Sequence, residues 1–493
     1  MLVCGDRTVS RAELTALADG RAARLAACGI GQGDLVGLCL PNGCEWVVTY
    51  LALARLQACC VPLNAASAVA EIVHVVRDCG MRALFVSADR AEALEERCAD
   101  QVLLCPDGTV PRNRRAPERG SRQAAPAGAA CLAYTSGTTG SPKGVVQTWR
   151  AVRAGGSNLA GRLRLGPRDR VVTALPLAHT YGTNVMNAAL GSGAGLILLE
   201  RFDVATMLER SARHAATVMA GVPTMYRRLL AHPDGRMPRS LRCGLSAGQC
   251  AGEDLAMAWE ERTGAPYVEG WGMTELGGMA TLAAPELPGR HGTAGTALPG
   301  VRLRVVTSQA PEHEVPGVRL RAAASDGVVP AGEPGELQVH GPIVTPGYWN
   351  SPRQTAAAIG ADGWLRTGDV GVITHDGRVR IVDRIKDVVL CGGYSVFPAE
   401  LERAIRGHPA VRDVAVAGLP DPILGEIPCA WVVPEPGSVP TSEEIIGHCR
   451  TLLATHKLPR RVVLVTGLPV TANGKVDRRA LTSTTSGRQS ACP

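Results

Sequence analysis

Between Tyr134 and Val146 the chain reads YTSGTTGSPKGVV, with three glycines, a run of Ser and Thr hydroxyls and one lysine between apolar flanks. Glycine lets a backbone approach a ligand closely, and hydroxyls hydrogen-bond phosphate oxygens. Lys143 adds a compact positive charge for the same anion. A solvated surface turn is the ordinary alternative for such a cluster. Here the apolar run ACLAY leads in and GVVQTW follows at once, so the spacing predicts a polar loop held on a rigid frame. The common phosphate loop needs a Gly-Lys-Ser/Thr ending that opens a helix. Lys143 is instead flanked by Pro142 and Gly144, which makes this a phosphate loop of another kind.

The lysines are informative in number. Of 52 basic residues only four are Lys, namely Lys143, Lys386, Lys457 and Lys475. In so Arg-rich a chain each is a candidate for work that the planar guanidinium fork cannot do. Net charge is +7, yet the basic residues are spread out, and the densest group, PRNRRAPERGSR, lies in a Pro/Gly-rich connecting segment. Nucleic-acid binding asks for a concentrated patch, which is lacking. The 16 cysteines include no CxxC pair, so they read as small buried hydrophobes rather than as zinc ligands or disulfides. No apolar run approaches the roughly 18 residues of a membrane span. The start, MLVCGDRTVSRAEL, lacks a signal-sequence pattern, which predicts a cytoplasmic protein.

The elements that must carry these groups follow from periodicity. Ser10 and Glu13 form a capping box, with Leu14, Leu17 and Leu25 at helical spacing behind it. LVGLCLP, ALFVSA, RVVTALP, AGLILLE, ATVMAGVP and LRCGLSAG read as buried strands separated by helical segments such as EWVVTYLALARLQ. That alternation predicts an α/β fold with parallel sheets layered by helices and ligands at the strands' carboxyl ends. From about residue 290 the texture turns to β segments (VRLRVV, GELQVHG, VGVITHDGRVRIVD), predicting a β-rich subdomain. After Asp383 a small α+β unit is expected, including a helix capped by Thr441 with Glu444. The expected division is a large domain over 1–384 and a small, mobile one over 385–493.

The loop has companions in fixed order: EGWGMTE (269–275), GELQVHGPIVTPGYWN (335–350), GWLRTGD (363–369), DRIKDVVLCGG (383–393) and TANGKVDR (471–478). Together these motifs resemble the core motifs of the acyl-adenylate-forming superfamily, which includes acyl- and aryl-CoA synthetases, nonribosomal-peptide adenylation domains and luciferases. The resemblance covers nearly the whole chain. GGYSVFPAELE (392–402) and GVPTMYRRLL (221–230) are more similar to the CoA-ligase branch.

The resemblance implies an ATP-dependent carboxylic acid–CoA ligase that forms acyl-AMP and then a thioester. Its variants load a carrier protein through phosphopantetheine, or activate another oxyanion in natural-product biosynthesis. It implies ATP, Mg²⁺ and CoA as ligands. Thr135, Ser136, Gly137, Thr138, Thr139, Gly140 and Lys143 would wrap the β- and γ-phosphates. Thr274 would meet the α-phosphate and Glu275 would hold Mg²⁺. Gly248, Gln249, Glu269, Gly270, Trp271, Gly272 and Met273 would line the adenine side. Trp271 stands where most relatives carry Tyr, and a packed core Trp is its alternative role. Asp369 would accept from the ribose hydroxyls, supported by Arg384. Lys475, the principal catalytic expectation, would bridge the carboxylate and the α-phosphate. Lys386 falls at the hinge, with Asp383 where relatives usually have Gly. Gly392 and Gly393 would border the pantetheine channel. The acid is expected near PLAHTYG (176–182), GVPT (221–224) and GMTELGGM (272–279), where His179 is either a gate or a packed histidine. Gly277 and Gly278 leave space there for an aryl or extended acyl group.

Overall fold

The computed structural model describes all residues except 99–101, 107–108, 111–114, 119, 121–122, 136–142, 234–236, 250, 288–290, 308–313, 316–317, 320–326, 392–393, 422–423, 454–456, 472–475 and 487–493. The chain packs as two compact units, one of Met1–Arg302 with His340–Trp364 and one of Leu303–Val339 with Leu365–Pro493. The β segments after residue 302 thus pack with the C-terminal part of the chain.

The first unit is α/β with two large sheets. One has nine strands in the order Thr296–Ala297, Gly278–Leu282, Tyr267–Met273, Cys243–Ala247, Val218–Gly221, Arg170–Thr173, Gly195–Leu198, Leu2–Cys4 and Arg7–Val9. Its middle strands are parallel and its rims antiparallel. The other has seven strands in the order Gly347–Tyr348, Lys143–Thr148, Ala129–Thr135, Cys59–Pro62, Leu35–Cys39, Ala83–Val86 and Leu103–Pro106. Its parallel strands Leu35–Cys39, Cys59–Pro62 and Ala83–Val86 are buried from end to end, as sheets covered on both faces require. Every described cysteine except Cys4 is buried, and none of them is in a disulfide.

Under the strand Tyr267–Met273 lies an aromatic knot. Tyr226 meets Trp259 edge-on at 4.8 Å between ring centroids and Tyr267 at 5.0 Å. Such pairs contribute about 0.5–1.5 kcal/mol beyond their burial. The Tyr226 hydroxyl also bonds Met219 O at 2.7 Å and Leu245 O at 2.8 Å, tying the helix Pro223–Leu230 to the sheet. Gly244 is required by this packing, because a Cβ there would sit 2.9 Å from the Trp259 ring. The strand that leads to Glu275 therefore stands on a rigid floor.

The second unit has a four-stranded sheet (Arg302–Val306, Pro334–His340, Leu365–Ile373, Val379–Arg384). A second sheet is centred on the long hairpin Val411–Asp421 and Gly425–Pro434. The helices Pro398–Arg406 and Ser442–Arg450 pack on it around Leu401, Ile405, Ile445 and Cys449. No described helix is long and apolar enough to cross a membrane.

Candidate active site

The loop that opened the sequence reading joins two antiparallel strands, and its feet Thr135 and Lys143 are register partners. Ser136, Gly137, Thr138, Thr139 and Gly140 lie outside the described residues. Gly144 follows Lys143 because a Cβ there would stand 2.9 Å from Leu132 Cδ1 and 3.2 Å from Trp349 Cβ. The strand carrying Lys143 also pairs with Gly347–Tyr348, matching Tyr348 to Val145. Lys143 Nζ thereby stands 5.7 Å over the centre of the Tyr348 ring. On the other side the Tyr348 hydroxyl donates to Glu275 Oε1 at 3.0 Å. Burial, and then the neighbouring carboxylate, push the Tyr348 phenol well above its ordinary range, so it stays a donor.

Thr274 and Glu275 are placed by a short turn. The strand Tyr267–Met273 runs into the 3₁₀ segment Thr274–Leu276, Gly277 reverses the chain at φ +59°, and Gly278–Leu282 returns antiparallel. The turn is fastened from outside. Gln147 Nε2 donates to Thr274 O at 2.9 Å and to Thr180 Oγ1 at 2.8 Å, while Thr345 N donates to Glu275 O at 2.7 Å. Gly272 permits the bulge next to it, since a Cβ would meet Gly278 O at 2.2 Å. Met273, half-buried, caps the 3₁₀ segment.

On the same strand Glu269 is 9% exposed and accepts from Ala251 N at 3.2 Å. Burial pushes its carboxyl up to about 8. Gly270 leaves room for Met279, whose Sδ would be 2.7 Å from an added Cβ. Trp271 is 9% exposed, so its indole is mostly enclosed by protein. Gly248, at φ +90° and exposed, and half-buried Gln249 follow the neighbouring strand Cys243–Ala247 at its carboxyl end. His179 occupies the N-cap position of the helix Thr180–Ser192 without a side-chain capping bond. It is half-buried, and adjacent Thr180 joins it to the Gln147 link.

In the second unit Asp369 and Arg384 are partners across antiparallel strands, with Arg384 Nε 2.8 Å from Asp369 Oδ1. Asp369 is 2% exposed while the Arg384 side chain is 44% exposed, so the arginine presents the pair to solvent. Asp383 turns the other way. It accepts from Arg384 N at 2.8 Å and Ala399 N at 3.0 Å, and burial pushes its carboxyl up to about 6. The carboxylate thus pins the first turn of the helix Pro398–Arg406. Lys386 is on the 3₁₀ turn Ile385–Asp387, but its side chain, with Gly392, Gly393 and Lys475, lies outside the described residues. The bridge Val470↔Val476 and the partly buried pair Arg478–Glu402 at 2.6 Å hold the chain on both sides of Lys475. Lys457 is committed elsewhere, 2.7 Å from Glu400.

Sequence reasoning missed Tyr348, Gln147 and Thr345. Tyr348 and Thr345 sit inside TPGYWN, whose only signal was its place in a recognised motif. Gln147 carried none beyond standing buried in a strand, at 3% exposure.

The donor set suits a magnesium–triphosphate ligand. Glu275 is a half-buried carboxylate whose side chain, among the described residues, takes its hydrogen bond from Tyr348 through one oxygen only, leaving the other for a hard cation. Lys143 supplies the opposite charge on the far side of that tyrosine.

The chain is similar to known proteins along nearly its whole length. The family described as AMP-binding enzyme matches residues 1–349, and the AMP-binding enzyme C-terminal domain matches residues 400–475. A feruloyl-CoA synthase from an Amycolatopsis species is 34% identical over 96% of this chain and 93% of its own length. ATP-bound MatB from Rhodopseudomonas palustris superposes with a TM-score of 0.87 at 31% identity, over 98% of this chain and 95% of that one. MenE of Bacillus subtilis, an o-succinylbenzoate CoA synthetase caught with its acyl-adenylate intermediate, gives 0.83 at 30% identity over 97% and 94%.

Proposed function

The chain belongs to the AMP-binding enzyme family and is an AMP-forming acid–CoA ligase working through an acyl-AMP; from that premise we propose how its residues divide the work. In the first half-reaction a carboxylate oxygen of the acid attacks the α-phosphorus of ATP and pyrophosphate leaves. In the second the CoA thiol attacks the acyl carbon, loses its proton, and AMP departs with the former carboxylate oxygen. The obstacle to the first step is the approach of two anions. Fixed donors and cations aimed at developing charge each contribute about 3–4 kcal/mol against such a barrier.

In this reading Thr135, Ser136, Gly137, Thr138, Thr139, Gly140 and Lys143 hold the β- and γ-phosphates, and Thr274 donates to the α-phosphate. Glu275 holds the magnesium ion, which when bound neutralises phosphate charge. Tyr348 orients that carboxylate. Gly248, Gln249 and the stretch Glu269 to Met273 flank the adenine, with Trp271 beside it. Asp369 accepts from the ribose hydroxyls and Arg384 steadies Asp369. Lys475 spans the carboxylate and the α-phosphate. His179 stands at the carboxylate end of the acid. Lys386 is the hinge between a large domain, 1–384, and a small one, 385–493, that rotates between half-reactions and brings Gly392 and Gly393 to the pantetheine arm.

The observation that carries this reading is the series Lys143, Tyr348, Glu275, in which a cation and a carboxylate are fixed on either side of one phenol. CoA is the proposed acceptor, a phosphopantetheinyl carrier protein being the finer alternative. The need for ATP and CoA is the reason to propose a cytoplasmic setting. The test is a pyrophosphate-release screen across aryl, fatty and amino acids, with and without CoA. Acid-dependent release, with thioester appearing only when CoA is present, is expected. Absence of release with every acid would remove the reading.

A further inference from the structure

We infer that Asp78, near the end of the helix Val69–Cys79, is a positioning residue for the nucleotide phosphates: it closes a ring of hydrogen bonds that sets Lys143 and Tyr348 relative to each other. The inference rests on the ligase reading, in which Lys143 meets the β- and γ-phosphates and Tyr348 orients the magnesium carboxylate. The Tyr134 hydroxyl donates to Asp78 Oδ2 at 2.5 Å. Tyr134 is the register partner of Gly144 on the adjacent antiparallel strand. Gly144 O accepts from Trp349 N at 2.7 Å, and Trp349 Nε1 returns to Asp78 O at 3.4 Å. Each of these partners is next in sequence to a group of the site: Tyr134 to Thr135, Gly144 to Lys143 and Trp349 to Tyr348.

The sheet order explains why one helix residue can do this. The strand Lys143–Thr148 runs between Ala129–Thr135 and Gly347–Tyr348, so Asp78 holds the chain on both sides of the strand that carries the lysine. Trp349 is buried, and Tyr134 packs against the same apolar core as Leu132 and Val146. Burial therefore holds both rings. Asp78 is exposed and adds direction rather than buried area. A hydrogen bond to an ionised acceptor is stronger than a neutral one and fixes the donor's place. Burial, then the Cys79 thiol and the Asp78 carboxylate, push the Tyr134 phenol well above its ordinary range, so it remains the donor. Lys143 Nζ lies 5.7 Å from the centre of the Tyr348 ring, whose hydroxyl is 3.0 Å from Glu275 Oε1. A shift of either flanking strand would change the spacing between that cation and that carboxylate.

The test uses MgATP and AMP as probes, with binding to the full chain measured by calorimetry, so the acid need not be known. Asp78→Ala and Tyr134→Phe are each expected to raise the Kd for MgATP by about three- to tenfold, the range that one side-chain hydrogen bond spans. AMP lacks the β- and γ-phosphates and should bind the wild type and both variants alike. The double variant should bind MgATP no more weakly than the weaker single one, because both substitutions remove the same bond. Asp78→Asn keeps an acceptor oxygen and should restore most of the affinity. Additive losses in the double variant overturn the inference. Equal losses for AMP and MgATP overturn it too, since a role in fold stability alone would give that result. A wild type that binds no MgATP removes the ligase reading and this inference together, whereas single variants that bind MgATP as tightly as an active wild type remove this inference alone.

Discussion

The hydroxyl of Tyr348 donates to Glu275 Oε1 at 3.0 Å, a bond between residues 73 positions apart in the sequence. The bond fixes one carboxylate oxygen and directs the other outward. A hydrogen bond to a charged group is worth about 1.5–3 kcal/mol, which corresponds to roughly tenfold or more in rate. Tyr348→Phe is accordingly expected to lower the adenylation rate by about that factor and to raise the Mg²⁺ concentration needed for half-maximal rate. Thioester formation from synthetic acyl-AMP and CoA should be unaltered. Equal loss in both steps, followed separately, would contradict a role for Tyr348 at the metal.

Gly272→Ala tests the bulge beside Trp271. The added Cβ would lie 2.2 Å from Gly278 O and 2.8 Å from Met279 Cα, both backbone atoms that cannot step aside. The expected cost is about 1–3 kcal/mol of stability, with a raised KM for ATP. Thermal unfolding with and without ATP measures both effects. An unshifted Tm would mean that the turn is looser than described.

Glu269 makes stability depend on pH. Its carboxyl stands near 8 in the folded chain against an ordinary 4.5. Between those values the folded chain keeps a proton that the unfolded chain has released, so its contribution to stability is complete at the acid end and falls as pH rises. The slope is at most about 1.4 kcal/mol per pH unit and levels off above pH 8. Glu269→Gln removes this dependence. Denaturant unfolding from pH 5 to 9 should show the wild type losing stability relative to the variant, and parallel curves would refute the buried protonated state.

Lys475 and Lys386 are expected to separate the half-reactions. Lys475→Ala should abolish acid-dependent pyrophosphate release while ATP still binds by calorimetry. Lys386→Pro should slow thioester formation far more than adenylation, because it stiffens the proposed hinge. Identical profiles for the two variants would argue against dividing their roles in this way.

Local signals in the sequence carried most of the fold. Ser10 caps its helix by accepting from Glu13 N at 3.1 Å, and Thr441 with Glu444 forms the expected capping box. The buried runs around Leu35, Ala83, Val171, Leu196, Val218 and Cys243 are strands, because continuous apolar stretches suit sheets covered on both faces. Long-range pairing had no local signature. Leu2–Cys4 joins the nine-stranded sheet beside Gly195–Leu198, and Gly347–Tyr348 is too short to read as a strand at all. Tyr348 was invisible for that reason: its meaning comes from the partners that two distant segments bring to it. Asn184 shows the converse, since nothing in TYGTNVMN marks it until both its polar atoms are found buried without a partner among the described residues.

The central claim is that the acid is activated as a mixed anhydride with AMP, and oxygen transfer tests it most directly. The acid, labelled in both carboxylate oxygens with ¹⁸O, is turned over with ATP and CoA, and the products are weighed by mass spectrometry. The account predicts one ¹⁸O in each AMP and none in pyrophosphate. Label-free AMP, or label in inorganic phosphate, would contradict it.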